Sequence, residues 1–197
     1  MISRLPGVRL YSQYPAWAGP RWKYRGSLFD GYDPRPRPGA SDRAKRVVVT
    51  LGTMRTYGFR SAVAALVRVL PEVLTDGADV LWQVGVTDTA GLGIDARSVV
   101  PTHELLSAVA EADLVVAHAG IGSTLSALDS GHCPILLPRR ASRGEHVDDH
   151  QVLIADGLAA MGLAVVRDPE HLTAADLATA LRTTVRREQR PEPFLLA

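Results

Sequence analysis

The sequence predicts an α/β protein built on one doubly wound parallel sheet, and three observations predict it. Short runs such as Val47-Val-Val49 and Leu114-Val-Val116 are apolar throughout instead of alternating, as strands covered on both faces are. Segments with helical spacing lie between them, and the connections are short, so strand and helix take turns along the chain. At 197 residues and 46% hydrophobic, the chain can bury one full core without a disulfide or metal staple.

Each element follows from local pattern. Residues 46–51 (Arg-Val-Val-Val-Thr-Leu) make a first strand that runs into a turn at Gly52-Thr53. Phe59, Val63, Leu66 and Leu70 recur at helical spacing and mark an amphipathic helix that stops near Pro71. Residues 80–84 (Val-Leu-Trp-Gln-Val) read as a second strand and 98–100 (Ser-Val-Val) as a short third. Thr102 is placed to cap a helix carrying Leu105, Leu106 and Val109. A fourth strand over 113–117 leads into a glycine-containing turn over 118–123. A helix over 124–130 closes at Gly131, and 134–137 is a fifth strand. Beyond a polar loop, 149–157 is helical, 164–166 is a last strand, and Thr173 caps a final helix running to Thr184. This is one Rossmann-like domain over residues 46–185, followed by a tail over 186–197.

Residues 1–45 differ from the rest. They hold six prolines, five glycines and seven of the eleven aromatic residues, with no period of either kind. So aromatic a segment is no ordinary disordered linker; it reads as an extended arm or interdomain linker that lies against this domain or another. Its net charge is +6, against −5 for the remainder. A general nucleic-acid binder would carry its cations on the folded body, so nucleic acid is not the expected partner. The basic arm is either a solvated extension or a surface for anionic lipid or an acidic partner, which leaves peripheral membrane association open. The lone Cys133 cannot bridge internally, and neither a membrane-length apolar run nor a signal-peptide pattern at residues 1–6 is present. A cytoplasmic setting, with the inner face of the plasma membrane as its furthest extension, is the expectation.

In a doubly wound sheet, ligands bind beyond the carboxyl ends of the strands. Three loops there carry chemistry. Gly52 and Thr53 follow the first strand, where glycine permits close backbone approach, although most such folds have a turn of this kind. His118-Ala-Gly120-Ile-Gly122-Ser123-Thr124 combines two glycines, two hydroxyls and an imidazole at a helix start. Free amides and the helix dipole there favour an anion, so the loop suits a diphosphate. A tight turn with a hydrogen-bonded histidine is the structural alternative. The third loop supplies Glu145, His146, Asp149, His150 and Gln151, groups fitted to bidentate recognition of sugar hydroxyls, or else a solvated charged loop. A metal is disfavoured there, because the HExxH order is missing and three nearby arginines would repel a cation. Ser/His/Asp hydrolysis is disfavoured because no G-x-S-x-G elbow occurs.

Residues 46–185 resemble the carboxyl-terminal, donor-binding domain of glycosyltransferase family 28, one half of the GT-B architecture. His118-Ala-Gly-Ile-Gly-Ser-Thr124 resembles the family's H-x-G-x-x-S/T turn, and Gly131-His-Cys-Pro-Ile-Leu-Leu-Pro138 its following strand. Gly144-Glu-His-Val-Asp-Asp-His-Gln151 is similar to a loop of bacterial exopolysaccharide transferase subunits. The resemblance implies that Gly52 and Thr53 border the phosphates and that backbone groups at Thr102 face the uracil. His118, Gly120, Gly122, Ser123 and Thr124 would bind the diphosphate, with His118 stabilising the leaving phosphate. Glu145, His146, Asp149, His150 and Gln151 would contact the transferred sugar or hold the loop that does. Ser126 stands where many relatives place an acidic residue on the ribose. The implied activity is inverting transfer of a sugar from a UDP-sugar to a lipid-linked saccharide in polysaccharide biosynthesis, with no cofactor and no metal. An acceptor-binding domain or subunit, membrane-anchored in some relatives, would supply the catalytic base. A nucleotide-sugar-binding module without turnover is the alternative, and a fragment of a UDP-sugar epimerase a more distant one.

Overall fold

The computed structural model describes residues 8–188, so the signal-peptide reading at residues 1–6 and the last nine residues of the tail lie outside the described residues. By contacts the chain divides into a larger unit, Pro34–Arg186, and a smaller one formed by the residues on either side of it. In the smaller unit β1 (Leu10–Ser12) and β2 (Trp22–Tyr24) pair in parallel around a 3-10 turn at Pro15–Trp17. The Tyr14, Phe29 and Tyr32 rings are buried and sit 6.4 and 6.5 Å apart in sequence. The Asp30 carboxylate ties this segment by accepting from the Tyr24 hydroxyl and the Ser27 amide. β3 (Tyr32–Pro36) leads out of it.

The larger unit alternates strand and helix: β4 (Ala44–Thr50), α1 (Arg60–Val69), β5 (Leu74–Gln83), β6 (Ala96–Arg97), α2 (Thr102–Glu111), β7 (Leu114–His118), α3 (Ile121–Asp129), β8 (Ile135–Leu137), α4 (His150–Ala160), β9 (Val165–Val166) and α5 (Ala174–Leu181). β10 (Thr183–Arg187) ends the described chain and pairs with β3 in a separate two-stranded sheet. The six-stranded sheet runs in the order β6-β5-β4-β7-β8-β9, and every neighbouring pair is parallel.

Period-2 alternation in β4 divides the core between two layers. Val47 and Val49 pack with Phe59, Val63 and Leu66 of the α1 side and with Leu177 and Leu181 of α5. Val48, between them, packs with Val109 of α2 and Ala127 of α3. Each of these residues is at most 3% exposed, and burying a side chain of this class stabilises by roughly 1.5–3 kcal/mol. Among the described residues no helix is long and apolar enough to cross a membrane. Cys133 is buried beside β8, and burial pushes its thiol up to about 11.

Local boundaries differ from the sequence expectations at several places: the second strand already starts at Leu74 and α4 runs on to Ala160. The third strand is Ala96–Arg97, not 98–100, because the Val100 amide turns away to the Gln83 side-chain carbonyl and Val99 is left exposed. Thr102 does not cap α2: it is the first helical residue, Pro101 takes the N-cap position, and no side chain caps the helix. α3 begins at Ile121 instead of 124, since extended Gly120 accepts from the Thr124 amide at 3.0 Å. α5 stops at Leu181, and the β-branched Thr183, Thr184 and Val185 continue as strand. Two caps form as their residues suggest. Thr173 and Asp176 make a capping box. Gly131, at φ +84°, closes α3 as its amide reaches Leu128 and the His132 amide reaches Ala127.

Candidate functional site

The two central strands, β4 and β7, are where the winding reverses: β5 and β6 lie to one side, β8 and β9 to the other. Loops leaving their carboxyl ends therefore diverge, which opens a crevice above the sheet. β4 delivers Leu51-Gly52-Thr53 to one wall, and β7 delivers His118-Ala119-Gly120 to the other.

His118 ends β7 with Nδ1 3.4 Å from the Thr50 carbonyl. Its ring lies between two glycines: a Cβ on Gly120 would come within 2.3 Å of Nε2, and one on Gly52 within 3.0 Å. Gly52 also adopts φ +80°, so glycine is required there twice over. Burial holds the imidazole down to about 4, with the nearby charges of Arg139 and His146 adding to it, against the opposing bond to Thr50. The ring is neutral at pH 7. With its Nδ1 proton directed at Thr50, it turns the Nε2 lone pair to its other side.

At the start of α3 the amides of Ile121, Gly122 and Ser123 precede the first intrahelical bond and have no acceptor in the helix. Nothing lies within 4 Å of the position a Cβ would take on Gly122. Orphan amides and the helix dipole give this end the chemistry an anion requires. Thr124 stands apart from it: fully buried, its hydroxyl donates to the Gly120 carbonyl at 2.9 Å. Ser126 likewise directs its hydroxyl to the Gly122 carbonyl. Thr53 and Thr102 are both exposed at the carboxyl-end rim.

The third loop separates into an inner and an outer set. Glu145 is 7% exposed; its carboxylate accepts from the Ser61 hydroxyl at 2.6 Å and from the Arg140 amide at 3.1 Å. Gln151 is also buried and accepts from the Arg139 amide. Asp149 is exposed and accepts from the Ala141 amide. These three fasten the loop to its surroundings. The buried His146 ring stacks on Tyr57 and meets the edge of exposed His150 at 4.7 Å.

Sequence reasoning missed the group that joins the loops. Arg139, 1% exposed, donates to the carbonyls of Leu51, Tyr57, Gly58 and Glu145 and lies 4.8 Å over the Phe59 ring. It binds the segment after β4 to the segment after β8. Gln83 was missed for the same reason: its amide donates to the Thr50 hydroxyl while its carbonyl accepts from Val100, tying β4 to the approach to α2. An arginine in a polar loop and a glutamine in a strand give no sign of burial in the sequence; only the neighbouring carbonyls do.

A parallel sheet of this order, with an open helix end at its switch point, is Rossmann-like, the form that each half of the GT-B glycosyltransferase architecture takes. The sequence profile of the glycosyltransferase family 28 C-terminal domain matches residues 46–193, and the chain belongs to that family. A UDP-N-acetylglucosamine--N-acetylmuramyl-(pentapeptide) pyrophosphoryl-undecaprenol N-acetylglucosamine transferase of Dichelobacter nodosus (strain VCS1703A) is 28% identical over 145 residues, which is 70% of this chain and 38% of that protein. The glycosyltransferase SnogD from Streptomyces nogalater superposes with a TM-score of 0.52 at 25% identity, over 73% of this chain and 36% of its own. Acinetobacter baumannii MurG shares the fold, with a TM-score of 0.52 at 20% identity, covering 85% of this chain and 49% of that one. The chain thus spans less than half the length of these relatives.

Proposed function

We propose that this chain is the donor-binding half of an inverting glycosyltransferase that takes a sugar from a UDP-sugar and passes it to a lipid-linked saccharide. The reading rests chiefly on one observation: the start of α3, where the amides of Ile121, Gly122 and Ser123 have no acceptor in the helix and the space over Gly122 is open, follows directly on His118, whose ring lies against Gly52. Neutral amides and a helix dipole stabilise charge growing on a leaving diphosphate, and they do so most strongly where they are already oriented. His118 is neutral before the donor arrives; the diphosphate charge draws a proton onto Nε2, which then donates to a phosphate oxygen. Glu145 and Gln151 hold the loop, while the exposed His150 and Asp149 would meet the transferred sugar. The acceptor hydroxyl and its base come from a further domain or a partner subunit, in keeping with relatives of which the matched region is less than half.

Calorimetry with UDP, followed by a transfer assay with the acceptor-binding partner, tests the proposal. UDP is expected to bind the wild-type chain, and His118→Ala to slow transfer by about 100- to 1,000-fold, the usual effect of removing one such donor. Absence of UDP binding at millimolar concentration would overturn the donor site. Binding without transfer in the presence of the partner would instead favour a nucleotide-sugar-binding module.

A further inference from the structure

We propose that His146, Asp148 and His150 form a three-ligand site for a borderline divalent cation of the zinc class. Their ligand atoms lie within 4.8 Å of one another. His146 Nδ1 is 3.3 Å from Asp148 Oδ1, and His150 Nδ1 meets the same oxygen. Tetrahedral zinc, with bonds near 2 Å, spaces its ligand atoms about 3.4 Å apart, so one edge of the polyhedron is already set.

The loop is built to hold these groups. The His146 ring is buried and fixed by stacking on Tyr57, and its neighbour His150 packs edge-on at 75°. Asp148 and His150 are exposed, which gives a cation a way in. One of the two sequence arguments against a metal was repulsion by three arginines, and the structure weakens it for the two that are ion-paired. Arg140 is paired with Asp168 at 2.7 Å, Arg143 with Glu170, and the Arg139 guanidinium is satisfied by backbone carbonyls. The second grouping of suitable residues, Asp168, Glu170 and His171, has both carboxylates engaged by those arginines and is not a rival.

Donor chemistry sets the class of ion. Two imidazoles and one carboxylate suit zinc, cobalt or nickel, whereas magnesium and calcium require an all-oxygen shell. Three protein ligands leave a position open for water or for an oxygen of a bound molecule.

The test is a calorimetric titration of the tag-free, EDTA-treated full chain with zinc chloride, without nucleotide, so that its result is independent of the donor site. One equivalent is expected to bind. His150→Ala and Asp148→Asn are expected to weaken it by more than roughly tenfold, since even outer partners of metal ligands are worth that much. His171→Ala is expected to leave it unchanged, and magnesium chloride to give far weaker heat. No zinc binding, equal binding by His150→Ala, or equal affinity for magnesium would each overturn the proposal.

Discussion

At the scale of single residues, His118 and Arg139 carry charge relations that solution measurements can read. The imidazole of His118 is held at about 4 in the fold, below the ordinary value of 6.5. The unfolded chain therefore takes up a proton between these values while the folded one does not, and stability falls as pH drops from 6.5 to 4. The full contribution of a shift of this size is on the order of 3 kcal/mol. Urea unfolding of wild type and His118→Asn across that range should show a steeper loss for wild type; parallel curves would contradict a neutral, buried ring. A diphosphate acts in the opposite sense, since it favours the protonated form, so UDP affinity should rise over the same fall in pH. Arg139 calls for a different measurement. Arg139→Ala leaves four carbonyls without their donor and a void over Phe59, and should cost about 3 kcal/mol or more. Arg139→Lys keeps the charge but not the fork, and should recover only part of it. A loss below about 1 kcal/mol by denaturant midpoint would show that the loops are held without it.

At the scale of the element, the start of α3 separates stability from binding. Gly122 lies in the first turn with open space where a Cβ would go. Gly122→Ala should therefore leave thermal stability unchanged or raise it slightly, as alanine is favoured over glycine in a helix by about 0.5–1 kcal/mol. The added methyl stands where a phosphate would approach, so UDP affinity should drop at the same time. A variant that binds UDP as wild type does would move the anion elsewhere. The same element shows where sequence reading stops. Gly131 announced its end through a fixed backbone requirement, whereas the pair Gly120 and Gly122 suggested a turn that runs three residues too far. Gly120 does lie outside the helix, but its main role is to clear space for the His118 ring, a contact between side chain and backbone that no local pattern records.

At the scale of the molecule, the doubly wound parallel sheet follows from apolar runs, short connections and the handedness of crossovers, all of which are local or nearly so. The strand order β6-β5-β4-β7-β8-β9 then puts Gly52 and His118 on facing walls without further information. What stayed hidden was polar and buried. Ser61 reaches Glu145 across 84 positions, and Arg139 reaches Leu51 across 88. Separations of that length appear only once the chain has folded. Cys133 is in the same interior, 4% exposed and the one sulfhydryl in the sequence, and its raised value keeps it in the unreactive protonated form near neutrality. It is thus a built-in reporter of opening: iodoacetamide should label it only when the region around β8 comes apart, and a saturating nucleotide should slow that labelling by the factor with which it stabilises the closed state.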